Sequence, residues 1–196
     1  MELYIIRHGQ TFWNAEGRLQ GQSDIELNEN GKAAALALGE SLKDTHFDCI
    51  YSSPLKRAYE TACLIRGNRD IPIVKDNRLA ELSFGVEEGC DFKKWISGES
   101  PYHNFFEAPE KYIPPKDGES LQALCIRTKN FVKEIIEPQF PQTKRVMIVA
   151  HGALNKGVMS YLEENDIAHF WGNGLQKNCD ADIFSYDGVS WSSHTH

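Results

Sequence analysis

Nowhere does the chain run to the roughly 20 consecutive apolar residues that a membrane span requires. A secretory apolar segment is missing too. Met1-Glu2-Leu3-Tyr4-Ile5-Ile6-Arg7 carries an acidic residue at once and reads as the start of a strand, so a cytoplasmic location is expected. Basic charge is in the minority, 21 Lys and Arg against 28 Asp and Glu, for a net charge of -7. That balance argues against nucleic acid or an anionic membrane as partner. An anionic small molecule would need a locally basic pocket in a globally acidic protein. The five cysteines, Cys49, Cys63, Cys90, Cys125 and Cys179, are odd in number and widely spaced, without a Cys-x-x-Cys pair. Neither a disulfide framework nor a thiolate zinc site is expected, only buried free thiols. Internal repeats and low-complexity segments are absent.

What is there suits one domain: 196 residues are enough for a full core. Leu3 to Ile6, Asp48 to Tyr51, Ile71 to Val74 and Arg145 to Ala150 are short apolar runs of the kind buried in a parallel sheet. Helical patterns lie between and after them. Asn28 to Lys43 repeats Ala34, Leu38 and Leu42 on one face. Ser52-Ser53-Pro54 reads as a serine cap with proline at the first helical position, starting a helix that runs to about Ile65. A long helix begins after Asp117-Gly118-Glu119-Ser120 and ends at Pro138; another covers Gly152 to Glu163. Near the C-terminus, strands at about Asp180 to Tyr186 and Val189 to Trp191 flank Asp187-Gly188, a hairpin signal. The expected architecture is therefore α/β: a three-layer α/β/α sandwich with a mostly parallel sheet and an antiparallel C-terminal strand. Residues 90–116, with four prolines among several aromatics and one short helix near Phe92 to Ile96, read as an inserted lid or specificity subdomain in this single domain, 1–196.

One pattern occurs twice. Ile5-Ile6-Arg7-His8-Gly9 and Ile148-Val149-Ala150-His151-Gly152 each place His-Gly directly after an apolar strand. Ligands of parallel α/β sheets bind at the carboxyl ends of strands. If these strands are neighbours, His8 and His151 meet there, each followed by a glycine that permits close backbone approach. Arg7 adjoins His8 and would have to escape strand alternation to turn into the same site. Arg57 lies at the start of the helix after the second strand, where free N–H groups and the helix dipole favour an anion. Guanidinium groups match phosphate oxygens. Glu81, among Leu79, Ala80 and Leu82, offers a carboxylate in apolar surroundings, where burial raises its pKa and suits a proton donor; Glu87 and Glu88 are alternatives. Two histidines, two arginines and a carboxylate fit phosphoryl transfer through a phosphohistidine. They equally fit phosphate binding without turnover, and they fit a metal badly, since arginines repel a cation. His46, His103, His169, His194 and His196 lack this context and are expected on the surface or in packing.

The segment Leu3 to Asn14, with Arg7-His8-Gly9-Gln10-Thr11, resembles the histidine phosphatase superfamily, in its phosphoglycerate-mutase-like branch. The likeness continues through Gly17-Arg18-Leu19-Gln20-Gly21, Leu27-Asn28-Glu29-Asn30-Gly31 and Ser52-Ser53-Pro54-Leu55-Lys56-Arg57-Ala58. It returns at Glu81-Leu82-Ser83-Phe84-Gly85, Asp117-Gly118-Glu119-Ser120 and Ala150-His151-Gly152. The order of these blocks is that of the family. The resemblance implies that His8 attacks phosphorus, that Arg7, Arg57 and His151 hold its oxygens, and that Glu81 protonates the leaving oxygen and then activates water. It also implies that Asn14, Gln20, Gly21 and Gly152 line the phosphate pocket, and that neither metal nor cofactor is needed.

Glu81 is followed by Leu82-Ser83-Phe84-Gly85 rather than the Arg-x-Tyr-Gly of true phosphoglycerate mutases. The resemblance is thus to small broad-specificity and α-ribazole phosphatases, although Glu87 stands where that branch usually has an aromatic residue. A phosphomonoesterase acting on a small phosphorylated metabolite is expected. A cofactor-dependent phosphoglycerate mutase and a non-catalytic phosphate- or phosphoprotein-binding regulator are the alternatives. Lys93, Lys94, Lys111 and Lys116 of the insertion would either meet a second anionic group or stay solvated. Its aromatics would either pack on an organic moiety or close a small core. No oligomeric state follows from the sequence.

Overall fold

The computed structural model describes residues 1–194, so the expectation for His196 lies outside the described residues. Six strands form one sheet in the order β3-β2-β4-β1-β5-β6. β1 (Glu2–Arg7), β2 (Cys49–Ser52), β3 (Ile73–Lys75) and β4 (Arg145–Ala150) run parallel, while β5 (Ala181–Tyr186) and β6 (Trp191–Ser193) are antiparallel. Helices cover both faces, which is why β1 and β4 are apolar almost throughout. Leu3, Ile5, Val146 and Ile148 pack with Leu124 and Phe131 of α6 (Leu121–Phe131) and Leu154 and Val158 of α7 (Gly152–Leu162). Ile6, Met147 and Val149 point the other way, toward Ala62 and Ile65 of α3 (Lys56–Arg66). The expected three-layer sandwich with its antiparallel tail is what forms.

Local readings shift in informative ways. A short helix, α1 (Phe12–Glu16), occupies a stretch to which the sequence pattern assigned no element; Thr11 and Asn14 close a capping box around its start. In α2 (Glu29–Ser41) the inward positions are Gly31, Ala35 and the half-buried Leu38, while Ala34 is exposed. A strict four-residue repeat drifts around a helix of 3.6 residues per turn, so the face is the i, i+4, i+7 set. α3 starts at Lys56 rather than at Pro54: Ser53 is turned toward the sheet, and the Lys56 N–H is capped from another loop by Asp24 Oδ1 at 2.7 Å. α6 continues through a π-helical turn, Val132–Ile136, before Pro138 ends it. Residues 90–116 contain α4 (Phe92–Trp95) and a second short helix, α5 (Asn104–Glu107), around the buried Trp95, Phe105 and Tyr112. All five cysteines are free, but Cys90 is exposed and the other four are only half-buried. Among the described residues no helix is long and apolar enough to cross a membrane.

Candidate active site

β1 and β4 are adjacent, in a register that pairs Arg7 with Ala150. The two His-Gly turns therefore emerge side by side, and the His8 and His151 rings stand 5.1 Å apart, edge to face. Each following glycine touches a neighbour: a Cβ on Gly9 would fall 2.6 Å from the Gly31 carbonyl oxygen, and one on Gly152 2.8 Å from Leu175 Cδ1. His8 is 3% exposed, and its Nδ1 lies 2.7 Å from the Gly9 carbonyl oxygen. A carbonyl only accepts, so Nδ1 carries the proton and Nε2 presents a lone pair. Burial first, and then the charges of Arg57 and Arg7, hold the His8 pKa well below the ordinary histidine value. The neutral, Nε2-nucleophilic imidazole is the form this environment sets. His151 is fully buried behind it, sharing a 2.7 Å hydrogen bond between Nε2 and Ser53 Oγ, with Nδ1 unpartnered. Burial and Arg57 likewise lower its pKa.

Strand alternation is kept rather than relaxed. Arg7 lies on the α7 side, with its Nε and Cζ 3.6 Å from the Cβ position of Gly152, while His8 bonds Arg57 of α3. Both reach the same cavity because that cavity spans the end of the sheet. One Arg7 terminal nitrogen donates to the Gln176 carbonyl; its Nε is buried without a partner. Arg57 is 0% exposed. Its Nε donates to His8 Nε2 at 3.3 Å, and its terminal nitrogens donate to the Gly21 and Ser23 carbonyls at 2.6 and 2.8 Å. Burial pushes its pKa down to about 10, which leaves it charged at neutral pH. The α3 N-terminus itself is not left open, since Asp24 caps it; the side chain of Arg57 provides the positive charge. An unpartnered buried N–H costs about 1–3 kcal/mol, so the Arg7 Nε is a donor that an anion would satisfy.

Asn14, Gln20 and Gly21 line the cavity with Arg7, His8 and Arg57. Thr11 engages the carbonyl oxygens of both amides: its backbone N–H donates to Asn14 Oδ1 at 3.1 Å and its Oγ1–H to Gln20 Oε1 at 3.0 Å. With those oxygens held, each residue has its NH₂ group left to offer. Glu81 also lines the cavity and is 8% exposed. Burial is only half of its surroundings, because its carboxylate accepts the backbone N–H groups of Leu82, Ala153 and Leu154 at 2.8–3.2 Å. It thereby caps the N-terminus of α7. Its own carbonyl is held by Arg127 at 3.2 Å, and Arg127 is paired with Glu119. Glu87 and Glu88 are not in the cavity lining.

Beyond the charged end the cavity, about 150 Å³, is apolar. Phe84, Phe92, Phe105, Phe106, Trp171 and Leu175 form its wall. The insertion contributes three of these, and Trp171 latches it by donating its indole N–H to the Phe105 carbonyl and stacking 4.4 Å from Phe106. Lys93, Lys94, Lys111 and Lys116 are exposed and do not line it. The aromatics of the insertion thus close a small core, and Phe92, Phe105 and Phe106 also face the cavity, while its lysines stay solvated. Of His46, His103, His169 and His194, none reaches the cavity. Arg18 at the rim, Gln176, Asn178 (which donates to the His8 carbonyl at 2.8 Å) and the Trp171–Leu175 segment went unread in the sequence. Arg18 falls within the Gly17–Gly21 block but was given no role there, and the others lie in irregular stretches without a period or motif to flag them. A larger groove of about 850 Å³ lies between α6, α7 and the β5–β6 hairpin; it includes Tyr186, which pairs with Met1 at the far end of β1. None of the residues discussed for chemistry lines it.

The model of the histidine phosphatase superfamily (branch 1) matches residues 3–196. Phosphoserine phosphatase 1 of Hydrogenobacter thermophilus is 32% identical over 185 residues, covering 89% of this chain and 82% of the relative. A 2,3-bisphosphoglycerate-dependent phosphoglycerate mutase of Cytophaga hutchinsonii is 35% identical, covering 85% and 81%. Among solved structures, Bacillus stearothermophilus YhfR superposes with a TM-score of 0.88 at 32% identity, covering 98% of this chain and 95% of that one.

Proposed function

The chain belongs to the histidine phosphatase superfamily, and from that premise we propose that it is a phosphomonoesterase that hydrolyses a small phosphorylated metabolite through a phosphohistidine on His8. The observation that carries this reading is the state of His8: deprotonated at Nε2, fixed by its Nδ1–H bond to Gly9, and flanked by the buried Arg57 and the half-buried Arg7. In the first step Nε2 forms a bond to phosphorus as the ester P–O bond breaks, and Glu81 in its acid form gives the leaving oxygen a proton. In the second, Glu81 takes a proton from water, whose oxygen bonds phosphorus as the P–N bond breaks. Arg7, Arg57, His151 and the amides of Asn14 and Gln20 hold the phosphoryl oxygens, where the negative charge is concentrated. Gly152 allows Arg7 to lie against the start of α7. No step calls for a metal.

The mutase relative makes phosphoglycerate mutation the competing reading. The apolar wall argues for hydrolysis. A second phosphate on the substrate needs cations beyond the reacting end, and there only Arg18 lines the cavity, its charge shared with Glu16 at 3.4 Å. A binding-only regulator would use Glu81 only as the cap of α7, whereas hydrolysis also uses the carboxylate it presents to the cavity. The test is steady-state hydrolysis of p-nitrophenyl phosphate in excess EDTA, for wild type and His8→Ala. Activity is expected to survive chelation and to fall at least about a thousandfold in the variant. A wild type inert toward phosphomonoesters, yet labelled on histidine by bisphosphoglycerate, would install the mutase instead.

A further inference from the structure

We propose that Glu88 is a positioning residue for Arg57, acting on it through the peptide groups of the loop 21–23. The inference rests on the reading of Arg57 as a phosphate ligand. Arg57 is fully buried, yet among the described residues no carboxylate forms a direct ion pair with it. A buried charge without a partner is costly. Two carbonyls face its terminal nitrogens instead, those of Gly21 and Ser23. The Gly21 carbonyl belongs to the same planar amide as the Gln22 N–H. That N–H donates to Glu88 Oε1 at 2.8 Å. One peptide group therefore lies between a carboxylate and a guanidinium, its N–H toward the anion and its oxygen toward the cation. Each charge polarises the bond to the other.

Ser23 links the same two charges by a different route, since its N–H and its carbonyl belong to successive peptide groups rather than to one. Its N–H and Oγ donate to Glu88 Oε2 at 2.8 and 2.6 Å, while its carbonyl accepts from Arg57 at 2.8 Å. The Phe84 N–H, at 3.2 Å from Oε1, anchors the same carboxylate to the segment that follows Glu81. Gly21 explains how Glu88 comes so close. Its φ of +55° is a conformation that favours glycine, and a Cβ there would fall 2.1 Å from Glu88 Oε1. The glycine matters for this contact as much as for the cavity.

The indirect route has a chemical consequence. A carboxylate paired directly with Arg57 would occupy its donors and cancel its positive potential toward the cavity. Coupling through amides adds to the balance of the buried charge and fixes the plane of the guanidinium, without a Glu88 oxygen occupying its donors.

The experiment is a double-mutant cycle on the full chain. Inorganic phosphate binding by calorimetry, and kcat and KM for p-nitrophenyl phosphate, are measured for wild type, Glu88→Gln, Arg57→Ala and the double variant. Glu88→Gln should weaken phosphate binding and lower kcat/KM by about 10- to 100-fold, because its NH₂ must face amide N–H groups. In the Arg57→Ala background the same change should cost less than about twofold. Glu88→Asp, which keeps the charge on a shorter stem, should recover part of the loss. It serves in both backgrounds if Glu88→Gln does not fold. Equal losses with and without Arg57, or no loss at all, would overturn the proposal in favour of a plain loop brace. An Arg57→Ala enzyme that binds phosphate like wild type removes the phosphate-ligand reading itself, and this one with it.

Discussion

The two ends of the cavity are built by different means. At the phosphate end, the reactive groups sit directly after β1 and β4 or one residue into α3, and their geometry follows from the sheet. Strand register sets the two imidazoles 5.1 Å apart. Backbone carbonyls then orient His8 and Arg57. At the other end, the wall combines Phe84, the insertion and the Trp171 segment, and holds together through aromatic contacts with ring centroids 4.4–5.5 Å apart. The first end is charged, buried and rigidly hydrogen-bonded; the second is apolar and rests on packing. The division implies that phosphate chemistry and leaving-group choice are separable, since few residues serve both.

Glu81 stands where the two regions meet, and its replacement gives the largest effect that discriminates between leaving groups. Glu81→Gln should slow an alkyl phosphate such as phosphoserine by about 10²- to 10⁴-fold. p-Nitrophenyl phosphate, whose leaving group needs little protonation, should lose less than about tenfold. Both follow from kcat/KM measured with each ester, which reports the first step; kcat also contains the second step, where Glu81 serves both esters alike. Equal losses would move the acid role off Glu81, or show that the variant disturbs the start of α7, whose N–H groups the carboxylate caps.

A smaller effect is expected at the wall. Trp171 is buried and both stacks on and latches the insertion, so full truncation risks the fold, costing about 3–5 kcal/mol. Trp171→Phe keeps a ring and removes the latch. KM for p-nitrophenyl phosphate should rise about three- to tenfold, the loss of one hydrogen bond, while inhibition by orthovanadate, which occupies only the phosphate end, stays within twofold. If vanadate affinity drops in step with KM, the two ends are coupled and the division fails.

The same contrast explains what the sequence disclosed. Repeated His-Gly after apolar runs placed His8 and His151 at strand ends, a position that strand length and burial dictate; that the two strands are neighbours was a condition, met by the sheet order. Arg57 was readable for the same reason, at the start of a helix that begins at the sheet edge. Its partners were not: the carbonyls of Gly21 and Ser23 carry no side-chain signature. Asp24 capping α3 was equally invisible, since a cap from a distant loop leaves no local pattern. Glu81 was judged on burial alone, and the three amides that donate to it come from its neighbour and from a helix more than 70 positions away. Trp171 and Gln176 were missed because their roles depend on which irregular segments fold back over the site. Local periodicity says nothing about that.

The smallest effect is thermodynamic and again separates the ends. His8 and His151 are buried with pKa values held well below the ordinary value, by burial first and then by the nearby arginines. In the unfolded chain each takes up a proton near pH 6.5; in the folded chain each stays neutral to well below that. Below pH 6.5 the unfolded state thus binds more protons, and stability falls as pH falls. The loss approaches about 1.4 kcal/mol per histidine for each pH unit, equivalent to roughly 3–5 °C in Tm. The aromatic residues of the wall carry no group that titrates in this range. Thermal melts between pH 6.5 and 5 should therefore show a falling Tm that flattens when both His8→Asn and His151→Asn are introduced, and that stays unchanged in its slope with Trp171→Phe. A slope that persists in the double histidine variant would place the acid sensitivity outside the phosphate end.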